Sequence, residues 1–123
     1  MRINVIVSAL EVDANLYQTL DSVLSQEPGE FRLNVLLVCP SNSLSDAYKE
    51  AVRQITDSGS GVYSAMNMGL KSVYETSGKN AETDLVTFLS SGAKFEYSSA
   101  LRDVSAFFCE IRSLGRSVVD GDK

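Results

Sequence analysis

Apolar positions along the chain follow two rhythms. Ile3 to Val7 is a compact β-branched run, the pattern of a strand covered on both faces. After Asp13, a residue suited to capping a helix, Leu16, Leu20, Val23 and Leu24 recur at helical spacing until Pro28-Gly29 breaks the pattern. Phe31 to Val38 predicts a second strand ending at Cys39-Pro40. Ser43 or Ser45 then caps a predicted second helix with Ala47, Tyr48, Ala51, Val52 and Ile55 on its buried side. Asp57 to Gly61 reads as a loop. Val62, Met66, Leu70 and Val73 mark a helix from Val62 to Tyr74, and the polar stretch Thr76 to Glu82 reads as a further loop. Asp84 to Leu89 predicts a third strand. Ser98 or Ser99 starts what reads as the longest helix, with Leu101, Val104, Phe107, Phe108, Ile111 and Leu114 inward; Ser117 to Val119 suggests a short last strand.

Strands that alternate with helices predict an α/β fold: a three-layer α/β/α sandwich around a mostly parallel sheet. Right-handed crossovers place the loops after Val7, Val38 and Leu89 on one edge, where open α/β sheets bind ligands. The stretch DLVTFLSSGAKF is therefore unexpected. Its strand runs into two hydroxyls, a glycine and a methyl group where a site-bearing strand end would carry an acid.

Composition narrows the function. The 123 residues suffice for one domain, residues 1–123, with a real core. A net charge of −5 and the absence of a basic face argue against nucleic acid or an anionic membrane surface as partner. No apolar run is long enough for a membrane span, and the opening MRINVIV predicts no secretory leader, so a cytoplasmic protein is expected. Cys39 and Cys109 lie in apolar contexts and read as buried free thiols. With no histidine in the chain, general-base or metal chemistry would fall to other side chains.

The order of motifs resembles the nucleotide-binding half of a family 2 glycosyltransferase with the GT-A, Rossmann-like fold of nucleotide-diphospho-sugar transferases. INVIVSALEVDANLYQTLDSVLSQ is similar to that family's opening strand, loop and helix, down to Ser22-Val23-Leu24-Ser25-Gln26. RLNVLLVCPSNS resembles its second strand and acidic loop. GVYSAMNMGLKSV resembles its Gly-Ile-Tyr-Asp-Ala-Met-Asn-x-Gly-Ile segment, and FLSSGAKF the strand that delivers a metal-binding Asp-x-Asp pair. SSALRDVSAFF and SVVDGD resemble the helix and strand that follow. The resemblance implies a nucleotide-sugar donor, a role in bacterial polysaccharide synthesis and a Mn²⁺ or Mg²⁺ ion, a hard cation that neutralises a diphosphate leaving group.

Every departure falls on a functional position. Pro-x-Tyr-Asn-Glu becomes Ser8-Ala9-Leu10-Glu11-Val12, Asp-Asp-Gly-Ser becomes Pro40-Ser41-Asn42-Ser43, the first Asp of the helix motif becomes Ser64, and the metal-binding pair becomes Gly92-Ala93. The resemblance thus implies no bound metal, no catalytic residue, and a domain inactive alone that lacks the acceptor-binding half. On these grounds the candidate nucleotide-sugar pocket comprises Ser8, Glu11, Ser41, Gly61, Asn67, Ser91 and Gly92. The alternative is a non-catalytic interaction module that forms a homodimer or docks onto a complete transferase.

Other chemical signals are weaker. Gly69-Leu70-Lys71-Ser72 is not a phosphate-binding loop, because it lies inside a helix without the first glycine. Ser58 to Gly61 before a helix favours a plain loop over a phosphate cradle, and Asp120-Gly121-Asp122 favours a solvated terminus over a metal site. Cys39 has no neighbouring cation to activate it.

Overall fold

The computed structural model describes residues 1–41, 43–56, 61–77, 84–108 and 110. Four strands, β1 (Arg2–Ser8), β2 (Arg32–Cys39), β3 (Val52–Thr56) and β4 (Asp84–Ser90), form one all-parallel sheet in the order β3-β2-β1-β4. Between them lie the helices α1 (Ala14–Leu24), α2 (Asp46–Lys49) and α3 (Val62–Ser77); α4, residues 100–108, follows β4. The fold is α/β with a doubly wound order, compatible with a Rossmann-like fold.

β1 is the central strand. It pairs with β2 on one side and β4 on the other, and Ile3 through Ser8 are all buried. Two cores lie on its two faces because successive side chains alternate. Ile3, Val5 and Val7 join Val35, Leu37 and Cys39 beneath Leu16, Leu20 and Val23 of α1 and Leu101 of α4. Ile6, Leu36 and Val38 face the opposite way and pack beneath Ala65, Met68 and Val73 of α3. Each fully buried aliphatic side chain contributes about 1.5–3 kcal/mol relative to exposure. Deep in the sheet, Asn34 Nδ2 donates to Asn4 Oδ1 (2.8 Å) and Asn4 Nδ2 donates to the Leu85 carbonyl (3.1 Å). That pair spans three strands and leaves no amide of Asn4 idle in the core.

Asp13 caps α1 as expected: its Oδ1 accepts from the Leu16 N–H at 3.0 Å. Three expectations are corrected. Val52–Thr56 is a strand, not the end of a helix; the second helix is a single turn, Asp46–Lys49, on which Ala47 is exposed, and Ala51 beyond it is exposed too. Backbone pairing of Val52 through Thr56 with Val35 through Cys39 outweighs the helical spacing of the apolar residues. On α4, Val104 is 50% exposed and Phe107 63% exposed, whereas Leu101 and Ser105 are buried. The helix is turned so that Leu101, Ser105 and Phe108, not Val104 and Phe107, face inward. Thr76 belongs to α3, which runs to Ser77. Cys39 is a buried free thiol. The expectations for Asp57 to Ser60, residues 78–82 of the predicted loop, Cys109, Ile111, Leu114, the 117–119 strand and Asp120 to Asp122 lie outside the described residues.

Candidate functional site

Strand order alone locates the place where a ligand fits best. From β1 the chain steps to β2 and then β3 on one side; the next crossover brings β4 to the other side of β1. The connections therefore diverge between β1 and β4, at the carboxyl ends of those strands, and leave a crevice there. A cleft of about 310 Å³ occupies that position. Ser8 at the end of β1, Ser90 and Ser91 at the end of β4, Glu11 and Asp13 from the loop before α1, and Gly61 at the start of α3 line it. Its size suits a nucleoside or monosaccharide, at the lower end of the roughly 300–1,000 Å³ of ligand pockets.

The walls come from both faces of the sheet. Ser8 falls in register with Ser90 across β1 and β4, and the Ser91 N–H donates to the Ser8 carbonyl at 2.8 Å, closing the floor. Ser8 is only 7% exposed and lines the floor of the cleft. α3 overhangs this edge because Gly69 lets it approach β1: a Cβ there would stand 2.5 Å from Ile6 Cγ2. One turn toward the helix start, Ala65 reaches the cleft, and Gly61, at φ +111°, makes the entry that an L side chain would strain.

The loop after β4 has a different construction. Ser90 to Ala93 form a tight turn closed by an Ala93 N–H to Ser90 carbonyl bond of 2.9 Å, with Gly92 at φ +96° where a type II turn requires glycine. Side chains of α1, and of Gln26 just beyond it, then hold the loop by its backbone. Thr19 Oγ1 accepts from the Gly92 N–H (2.9 Å), Ser22 Oγ from the Phe95 N–H (3.3 Å), and Gln26 Oε1 from the Leu101 N–H (3.0 Å) while its Nε2 donates to the Tyr97 carbonyl (2.9 Å). Thr19 and Ser22 lie three residues apart on one face of α1, and Gln26 follows four residues on, just past the helix end. Glu27 adds an ion pair with Arg102 at 3.3 Å and a hydrogen bond from Ser98. These positions carry no chemistry in the sequence reading; their spacing is the signal that could have found them.

Of the seven residues expected in the pocket, Ser8, Glu11, Gly61 and Ser91 line the cleft together. Gly92 is exposed and its N–H is spent on Thr19. Ser41 lies beyond β2, its hydroxyl paired with that of Ser43 at 2.8 Å and its carbonyl accepting from Gln54, and it does not reach the cleft. Asn67 points outward from α3 and is exposed. Ala9, Leu10, Asp13, Asn15, Ala65 and Ser90 line the cleft without having been expected there.

The donor set does not fit the dication that the resemblance brings with it. The β4 end supplies Ser90, Ser91, Gly92 and Ala93, and among the described residues no three carboxylate, thiol or imidazole groups converge. One Asp13 oxygen already serves the α1 cap. Mg²⁺ is bound through carboxylates and phosphates, so the strand end offers it no anchor. Comparison with family models, curated proteins and solved structures yields no match for this chain. No helix among the described residues is long and apolar enough to cross a membrane.

Proposed function

We propose that this chain is a glycosyltransferase-like domain of GT-A type whose switch-point cleft receives the nucleoside end of a nucleotide or nucleotide-sugar, and that it does not transfer sugar alone. One observation carries the reading: the cleft lies between the ends of β1 and β4, where doubly wound sheets take such ligands, and the β4 end that borders it bears hydroxyls instead of acids. The motif order from INVIVSAL to FLSSGAKF supports the same descent. Amide NMR titration with nucleosides and nucleotides, with and without Mg²⁺, tests it. Shifts confined to Ser8, Gly61, Ser90, Ser91 and their neighbours are expected, unchanged by Mg²⁺. Silence at those amides with millimolar ligand removes the reading.

A second reading, an interaction module that self-associates or docks onto a complete transferase, is favoured by Val104 and Phe107. They stand one helical turn apart on α4 and are both at least half exposed. Exposed apolar side chains of this size mark partner surfaces when they adjoin one another. Sedimentation equilibrium of the protein and of Phe107→Ser distinguishes the two: a monomer at every concentration, indifferent to the substitution, counts against self-association.

A further inference from the structure

We infer that the outer face of α3 is a contact surface for a second copy of this chain, which it meets antiparallel about a two-fold axis. The inference rests neither on the cleft nor on Val104 and Phe107, because α3 and α4 cover opposite faces of the sheet. α3 is built the reverse of an ordinary amphipathic helix. Its buried side carries mostly small residues, Ala65, Gly69, Ser72 and Val73. Its largest side chains point away from the sheet: Tyr63 is 84% exposed and Tyr74 is 64% exposed. Asn67, also exposed, and the half-buried Leu70 stand between them. With about 3.6 residues per turn, these four positions form one stripe about 60° wide and about 17 Å long, opposite the buried side. Tyrosines in such a stripe suit a protein contact, since the ring buries apolar area while the hydroxyl stays in water.

Two features select a second copy as the occupant. The first is spacing. From Tyr63 to Asn67, Leu70 and Tyr74 the intervals are four, three and four residues, the same in both directions. Two such helices laid end to end in opposite senses set Tyr63 beside the partner's Tyr74 and Asn67 beside the partner's Leu70, an isologous contact in which each pair occurs twice. The second is charge. The chain carries a net charge of −5, so two copies repel unless the faces that meet are neutral. α3 holds one cation and one anion, Lys71 and Glu75, both on the flank of the stripe and not within it. The antiparallel arrangement sets each Lys71 level with the partner's Met66, so the two lysines do not face each other. Two helices in contact over this length bury less than the roughly 1,200–2,000 Å² of a stable complex, so the dimer is a weak, transient one.

The test is sedimentation equilibrium of the full chain at concentrations from about 10 μM to about 1 mM, the range in which a weak dimer forms and dissociates. A monomer–dimer equilibrium is expected. The double substitution Tyr63→Ser with Tyr74→Ser changes only exposed side chains and should weaken the dimer at least about tenfold, as loss of central aromatic contacts does. Asn67→Leu removes an amide set against the partner's Leu70 and should tighten it severalfold. Phe107→Ser should leave it unchanged. Circular dichroism checks that each variant keeps its helices. A monomer at about 1 mM overturns the inference. So does any association that survives the tyrosine substitutions intact; if Phe107→Ser abolishes it instead, the interface lies on α4. An Asn67→Leu variant that associates no more tightly than the parent overturns the antiparallel register.

Discussion

Two loops border the cleft, and they are built in opposite ways. The loop after β4 is bolted down: Thr19, Ser22 and Gln26 hold Gly92, Phe95, Tyr97 and Leu101 by their backbone groups. The loop after β1 is tied by the Ala9 N–H to the Val38 carbonyl at 3.1 Å, then leaves Leu10 and Glu11 exposed. Side chains of the first loop are neutral at the cleft; those of the second carry its charge and its exposed apolar surface. The contrast teaches that the end of β4 is held as scaffold, while the loop after β1 presents its side chains to solvent.

Cutting the bolts should have the largest effect. Thr19→Val leaves the Gly92 N–H without its partner, and Gln26→Ala removes the acceptor of the Leu101 N–H. Together they are expected to lower stability by about 2–4 kcal/mol, since an orphaned or lost hydrogen bond costs about 1–3 kcal/mol. Urea denaturation reads this as a fall in midpoint, and hydrogen exchange should show Gly92, Phe95 and Leu101 losing protection while Leu10 and Glu11 are unaffected. An unchanged midpoint would mean that the β4 loop is no more constrained than its neighbour.

Gly69→Ala probes the wall that both loops share. The added methyl meets Ile6, itself 1% exposed, so α3 or Ile6 must move. Overpacking costs about 1–3 kcal/mol, and the better helix propensity of alanine returns about 1 kcal/mol. A net loss of about 1 kcal/mol is expected in the same denaturation assay. Stabilisation by the substitution would show that α3 does not need its close approach to β1.

A smaller effect concerns pH at the single-turn helix α2. Tyr48 Oη donates to Asp21 Oδ1 at 2.7 Å, and that hydrogen bond, aided by some desolvation, raises the phenol above its ordinary value of 10.0. A folded-state value above the unfolded one means that the contribution is complete below pH 10 and is lost as pH climbs through the raised value. Thermal midpoints measured from neutral to alkaline pH should therefore fall more steeply for the parent than for Tyr48→Phe beyond that point. Parallel curves would rule out the linkage. The smallest effect belongs to the open loop: Glu11→Gln should change stability by less than about 0.5 kcal/mol, as exposed substitutions do. A larger loss in denaturation would show that the β1 loop is itself structural.

Much of the scaffold is legible from the residues. β1, β2 and β4 announce themselves as apolar runs with turn residues after them, and the Asp13 cap and the Leu16, Leu20, Val23 stripe define α1. The switch-point edge follows from the alternation of strands and helices, which puts the loops with Ser8, Glu11 and Ser91 on it, while Gly61 was chosen from the motif resemblance alone. β3 was hidden because Ala47, Tyr48, Ala51, Val52 and Ile55 also satisfy a helical spacing, and a five-residue strand offers too few positions to contradict it. On α3 the stripe Val62, Met66, Leu70 and Val73 placed the helix, and Val73 is buried, but the closest approach to β1 was not visible in it. Large apolar residues draw attention, whereas the contact with β1 is made where side chains are smallest, at Ala65 and Gly69.

By itself, the sequence determined which segments carry strands and helices where periodicity is strong, that one sheet edge would gather the loops, and that this edge would lack the acids of a metal site. Those properties depend on neighbours a few residues apart, so the linear pattern contains them. Tertiary structure alone decided that Val52–Thr56 pairs with β2, that α4 turns Leu101 and Ser105 inward and leaves Phe107 out, and that Thr19, Ser22 and Gln26 become fasteners. These outcomes rest on backbone groups from segments about thirteen to seventy-five residues apart meeting a partner. Burial leaves such groups no free choice about being paired, but the choice of partner exists only once the layers have met.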